Sequence, residues 1–334
     1  MTLSLHPACC SGAVFQAEKK VRVFGDGEGE ITVSVCEVQV KTVAQNGKWV
    51  AELPPMPYGG PYDMMVTNGT DILTLNDVWF GDVFLLAGQS NMQVKMWEKP
   101  PENGYQDSAF VRMFSTRTLR GYDDGERSFP EDGWVELSKE RAPRWSAIGY
   151  YFALKYHERT GRMVGLMTCY QGASTIESWL SEEALAKTGF EPPKDRSGDD
   201  FAFFRETHKL YYHTFKQVVP YTFSHILWYQ GEANTKVNEG YDIYDTLLNA
   251  LVESWRKELL DETLPFIIVQ IADYIGGHPV YWPQVQAAQL RAQEWIPHVK
   301  TVISRDVCES ECIHPYTKEI LAYRLVEAAL TFKG

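Results

Sequence analysis

No stretch of this 334-residue chain approaches the ~20 consecutive apolar residues that a membrane-spanning helix requires. Basic charge is in short supply as well: 32 Lys and Arg against 44 Asp and Glu leave a net charge of −12. That balance argues against nucleic acid and against an anionic membrane as partners. The first residues, Met1-Thr2-Leu3-Ser4-Leu5-His6-Pro7, have neither a basic start nor a long apolar core, so no secretory leader is read there. Six cysteines without regular pairing spacing point to reduced thiols, and with them a cytoplasmic setting is expected. Cys308, Cys312 and His314 have no fourth ligand at a suitable spacing, so no metal site is expected. Internal repeats and low-complexity tracts are absent.

What remains is ordinary globular material, 44% apolar and 23% charged. Residues 14–80 read as short β-strands punctuated by Pro54-Pro55 and Gly59-Gly60-Pro61. We expect residues 1–80 to form a small β-sandwich-like region. From residue 81 onward strands alternate with helices. Strands are predicted at 83–87, 111–114, 163–169, 225–229, 266–271 and 301–304, and helices at 146–158, 176–186, 203–218, 241–257, 285–295 and 316–332. This alternation predicts an α/β domain over 81–334, a parallel sheet with helices on both faces. Residues 92–145 hold few periodic segments and read as an excursion that walls a site.

The chemistry centres on Leu85-Leu86-Ala87-Gly88-Gln89-Ser90-Asn91-Met92. An apolar strand stops at Gly88 and places Ser90 on the first turn beyond its carboxyl end, where open α/β sheets carry their sites. A serine hydroxyl needs a base, and the base needs an orienting group. His314, in Glu311-Cys312-Ile313-His314-Pro315, follows the last predicted strand; it serves either as that base or as a cap on a helix opened by Pro315. Glu311, three residues earlier, is within reach of the imidazole on a tight turn. An oxyanion hole is also needed. Two strand ends offer donors: Gln171-Gly172-Ala173-Ser174, with small residues that let the backbone approach a ligand, and Gln230-Gly231-Glu232-Ala233-Asn234, with amide side chains. Of Trp97, Trp145 and Trp179, Trp97 lies closest in sequence to Ser90 and is the favoured sugar-stacking residue. Arg112 and Arg117 are either partners for an acidic sugar or surface ion pairs.

Together, four segments in this order resemble the sequence blocks of the SGNH hydrolase superfamily. Gly88-Gln89-Ser90-Asn91-Met92, Gly172-Ala173-Ser174-Thr175-Ile176-Glu177-Ser178-Trp179, Trp228-Tyr229-Gln230-Gly231-Glu232-Ala233-Asn234 and Ile313-His314-Pro315 are similar to the serine, glycine, asparagine and histidine blocks of sialate O-acetylesterases and of family-six acetylxylan esterases. The resemblance implies a flavodoxin-like SGNH sheet and hydrolysis of an acetyl ester on a sugar, with no cofactor. It implies Ser90 as nucleophile, His314 as base, and Ser90 N–H, Gly172 N–H and the Asn234 side chain as oxyanion donors, with Gln89 and Gln230 near substrate. Two departures leave alternatives. Glu311 stands where the family usually has aspartate, and Glu232 of the Gln-Gly-Glu segment is the second candidate for the acid. Gly172-Ala173 replaces a pair of glycines, so Ala173 N–H is an alternative donor. Rival readings are a general short-chain esterase, for which a long acyl group needs an apolar groove, a thioesterase, and a non-catalytic sugar-binding protein. Neither the acetylated sugar nor the oligomeric state is legible in the sequence.

Overall fold

The computed structural model describes residues 2–116, 133–276 and 280–332. Its backbone is a twisted central sheet built around the strand Ile72–Gly88 (β1). The other members are Ser108–Phe114 (β2), Trp134–Leu137 (β3), Val164–Tyr170 (β4), His225–Tyr229 (β5), Phe266–Val269 (β6) and Val299–Val302 (β7). They lie side by side in the order β3-β2-β4-β1-β5-β6-β7, all parallel except β3, which runs antiparallel at the edge. Every residue of β4, β5 and β6 is buried, as expected of parallel strands covered on both faces.

Side-chain alternation shows how the helices divide. His225 of β5 packs on Phe84 and Phe332, whereas Trp228, three residues on, packs on Trp255. An odd offset along a strand means opposite faces. Ala147–Thr160 (α1) and Glu319–Thr331 (α4) therefore cover one face, with Phe84 against Phe152 and Tyr156 of α1. Tyr244–Glu258 (α2) and Trp282–Trp295 (α3) pack together on the other. Helix α1 has clear ends: Ser146 Oγ accepts from Gly149 N at 3.2 Å, and Gly161 closes it in the left-handed region at φ 69°.

Three predicted helices differ. Span 203–218 breaks into short turns because His208 is left-handed and Thr214 leaves helical geometry. Span 176–186 is interrupted at Leu180-Ser181, where Ser181 caps the short helix Glu182–Ala186. The last helix starts at Glu319 rather than 316, since the Glu309 carboxylate holds Thr317 in the preceding loop through its N–H and hydroxyl at 3.1 and 2.9 Å. Pro315 thus lies in a loop and opens no helix.

The N-terminal strands form two layers. Ser4–Leu5, Val21–Asp26 and Lys48–Leu53 make one sheet; Glu30–Val35, Val38–Val43 and Gly59–Thr67 join the first half of β1 in the other. Strand β1 runs through position 80 unbroken, from antiparallel pairing with Gly59–Thr67 into the parallel sheet. The strand predicted at 83–87 is therefore the second half of one that begins within the N-terminal β region. Buried Arg22 anchors this region to the rest, donating to Leu259 O at 2.9 Å and Leu260 O at 3.3 Å.

Candidate active site

The chain builds the sheet on one side of β1 as far as β4 and then crosses to the other side for β5, β6 and β7, so the carboxyl end of β1 is a topological switch point where a crevice opens. Gly88 makes the exit possible. It sits at φ 127°, and a Cβ there would meet Tyr229 O at 2.1 Å. Ser90 then begins a single helical turn, Ser90–Gln93, and is half-buried. As the first residue of a turn, its N–H has no acceptor within the helix.

The segments after β4 and β5 flank this turn. A Cβ on Gly172 would lie 3.7 Å from Ser90 Cβ, so the glycine backs directly onto the serine. Its N–H donates to Gln93 Oε1 at 2.8 Å. Ala173 is left-handed at φ 62°, a conformation that explains why a second glycine suits this position, and its carbonyl accepts from Arg205 Nε at 3.0 Å.

Asn234 is fully buried, and both amide hydrogens are spent, on Glu239 O at 2.6 Å and Glu177 Oε2 at 3.3 Å. Its oxygen accepts from Ile176 N and Gln230 Nε2 at 3.0 and 2.7 Å. This saturation corrects its expected role: Asn234 knits the β4 and β5 loops together and holds no N–H for an oxyanion. Gln230 is likewise buried, with Nε2 on Gln89 Oε1, Ser174 O and Asn234 Oδ1 and with Oε1 accepting from Tyr244 at 2.6 Å. Gln89 Oε1 also receives Gly231 N and Ala233 N, both at 3.3 Å. Gln230, and the carbonyl end of Gln89, serve as scaffold instead of lying open to substrate.

The two candidate acids part company. Glu311 is exposed and makes no hydrogen bond or ion pair among the described residues. Glu232 is buried, and its Oε1 accepts from Asn91 Nδ2 at 2.5 Å. The same Nδ2 donates to Ile313 O at 2.9 Å, and Lys318 Nζ donates to Asn91 Oδ1 at 2.7 Å. Asn91, next to Ser90, thereby ties the Glu232 carboxylate to the peptide just before His314. The second carboxylate oxygen, Oε2, is buried without a partner among the described residues. Burial pushes the Glu232 carboxyl above its usual range, against the pull of Asn91 and Lys318. Burial also lowers His314, and the neighbouring Lys318 lowers it further, which keeps the imidazole in its neutral, proton-accepting form to lower pH. Lys318 itself is brought down to about 8 by complete burial. Asn91 lies in the serine segment and Lys318 just beyond the histidine segment that it accompanies in the resemblance, but neither receives a role from the sequence; Gln93, one residue past the serine segment, was missed.

Other expectations resolve plainly. Trp97 is 55% exposed, whereas Trp145 and Trp179 are core. Arg112 lies opposite Gly165, at the amino end of β4, and holds Gly12 O and Asp77, so it is remote from the crevice. Arg117 lies outside the described residues. Cys308 and Cys312 are free thiols whose Sγ atoms approach Thr317 O and His314 O. No cluster suited to a metal ion occurs among the described residues, and none of their helices is long and apolar enough to cross a membrane.

Two clefts border the His314 loop. One, of about 660 Å³, is lined by Lys95, Lys99, Tyr150, Tyr151, Tyr316 and Lys318 among others. The other, of about 370 Å³, includes Glu232, Thr235, Tyr274, Tyr281, Trp282 and Ile313. Trp97 lines neither.

Comparison with known proteins shows the family. The family described as carbohydrate esterase, sialic acid-specific acetylesterase, matches residues 80–330. Sialate O-acetylesterase of Rattus norvegicus is 26% identical over 389 residues, covering 93% of this chain and 71% of the rat protein. The Homo sapiens sialate O-acetylesterase is 26% identical over 352 residues, 92% of this chain and 66% of that protein. Among solved structures, a carbohydrate acetylesterase from Xanthomonas citri superposes with a TM-score of 0.83 at 27% identity, covering 98% of this chain and 74% of the other. A protein from Arabidopsis thaliana shares the fold over 75% of this chain, with a TM-score of 0.51 and 20% identity.

Proposed function

Since the chain belongs to the carbohydrate esterase family of sialic acid-specific acetylesterases, and is on that footing an ester hydrolase of acetylated carbohydrate, we propose that its machinery is Ser90, His314 and Glu232. Ser90 Oγ attacks the acetyl carbonyl carbon while His314 takes the hydroxyl proton. The resulting tetrahedral oxyanion is met by the Ser90 N–H. Collapse releases the sugar oxygen, which receives the proton back from His314, and leaves an acetyl ester on Ser90. Water, deprotonated by His314, then cleaves that ester to acetate. Glu232 orients the imidazole and balances its transient positive charge.

The observation that carries this reading is the Asn91 bridge, which joins the residue beside the nucleophile to Glu232 and to the backbone beside His314. The larger cleft borders the His314 loop without including Ser90 or His314, and its walls carry Lys95, Lys99, Glu102, Asp107 and Glu319 alongside tyrosines, polar groups that suit sugar hydroxyls on the approach to that loop. Sialic acid is the favoured sugar, and acetylated xylan the alternative within the same chemistry. Six free thiols suit a reducing, cytoplasmic setting.

Acetate release from O-acetylated sialic acid and from acetylated xylo-oligosaccharides, measured with the native chain and Ser90→Ala, tests the reading. Release that disappears in the variant is expected, with the faster sugar identifying the substrate. Equal release by both proteins would overturn it.

A further inference from the structure

Resting on that reading, we propose that Gln93 is a catalytic residue whose side-chain amide donates a hydrogen bond to the oxyanion. A tetrahedral intermediate of acyl transfer needs more than one converging donor. Beyond the Ser90 N–H, the sequence suggested three donors; Ala173 N–H makes no hydrogen bond among the described residues and would be one, whereas the other two are engaged. Asn234 has spent its two amide hydrogens inside the protein, and Gly172 N–H is spent on Gln93.

That last bond fixes which way Gln93 faces. An N–H can only be met by the amide oxygen, so Oε1 is turned onto Gly172 at 2.8 Å and the NH₂ end must point away from it. Nε2 has no protein partner among the described residues. The amide is also in the right place. Gln93 Oε1 would lie 3.1 Å, and Ser90 Cβ 3.7 Å, from the same Cβ position on Gly172, so amide and nucleophile rest side by side on one glycine. Gln93 closes the single turn that Ser90 opens, so the two side chains belong to one rigid piece. Gly172 thus acts as the support that aims a donor, and absence of a side chain at 172 is what lets the amide come this close. A preorganised donor of this kind loses no free energy to reorientation during the reaction.

Two variants separate donation from support. Gln93→Ala removes both ends of the amide; Gln93→Glu retains an oxygen for Gly172 N–H but no NH₂. Both are expected to lose about 10²–10³-fold in kcat for acetate release from the preferred acetylated sugar, with KM changed little. Thermal unfolding of each variant, with a melting temperature near the native one, verifies that the turn survives. Wild-type-like kcat in Gln93→Glu would show that the oxygen's hold on Gly172 is what matters, and would overturn the proposal. So would an unchanged or raised kcat in Gln93→Ala, which would mean that Gln93 merely occupies the Gly172 N–H until substrate displaces it. Ser90→Ala, assayed alongside, keeps the two levels apart: activity surviving there refutes the serine mechanism itself, whereas activity lost there and kept in both Gln93 variants refutes only the role of Gln93.

Discussion

Replacing Glu232 by Gln should silence the enzyme, whereas the same change at Glu311 should leave it almost untouched. The glutamine preserves shape and can still accept from Asn91 through its oxygen, so the bridge to Ile313 O survives. What disappears is the negative charge that would hold the imidazole in its productive tautomer and stabilise its protonated form. In serine hydrolases the matching loss runs to about 10⁴ in rate, so a fall of roughly 10³–10⁴-fold in kcat, about 4–5.5 kcal/mol of barrier, is expected here. Glu311 is exposed and makes no hydrogen bond among the described residues, and its replacement should cost less than about twofold, as for most surface changes. Initial rates of acetate release at saturating substrate measure both. Stability supplies a second reading. The folded-state carboxyl of Glu232 is raised above its ordinary value of 4.5, so the native protein holds that proton to higher pH than the unfolded chain. Stability contributed by this group is therefore lost as pH rises from its ordinary value through the raised one. Glu232→Gln should flatten that slope, and urea unfolding at a series of pH values would show it. A near-native rate in Glu232→Gln together with collapse in Glu311→Gln would refute the assignment and return the role to the exposed glutamate.

Lys318→Met removes a positive charge that holds His314 down; the acid limb of the kcat/KM profile, where the base becomes protonated, should move to higher pH. An unmoved limb would show that burial alone sets the imidazole. Asn234→Ala deletes the partner of Ile176 N, Gln230 Nε2, Glu239 O and Glu177, and should destabilise the fold by about 2–4 kcal/mol in urea titration. Unchanged stability with a large loss of kcat would instead mark Asn234 as an oxyanion donor. Ala173→Gly relieves a left-handed alanine at φ 62° and should raise stability by about 1 kcal/mol, a shift readable in the urea midpoint.

Much of this molecule is written in local pattern. The buried runs in β4, β5 and β6 are continuous and apolar, and the turn after Gly88 carries its serine at the end of such a run. Strand ends shifted by two or three residues at 111–114, 266–271 and 301–304, and the edge strand Trp134–Leu137 was missed; the largest failure came where two units merged, since Ile72–Gly88 changes from a half-exposed antiparallel partner to a fully buried parallel one within a single extended segment. Burial pattern splits there, although the backbone does not. Helix ends failed where a long-range bond overrode propensity, as when Glu309 held Thr317 out of the last helix.

The fold class, the order of the four polar segments and the nomination of Ser90 and His314 as candidates came from the sequence alone, because apolar periodicity and residue type report on a side chain's immediate neighbourhood. Which glutamate is joined to the histidine loop, and which amides are already engaged, was decided only by tertiary structure. Glu311 is nearer His314 along the chain, yet Glu232 is joined to the histidine loop through Asn91, a residue 141 positions away from it. Asn234 looks like a donor until its neighbours are in place and both its hydrogens are taken. Hydrogen-bond saturation belongs to an assembled environment, since each N–H can be given only once, and proximity along the chain says nothing about which acceptor arrives first.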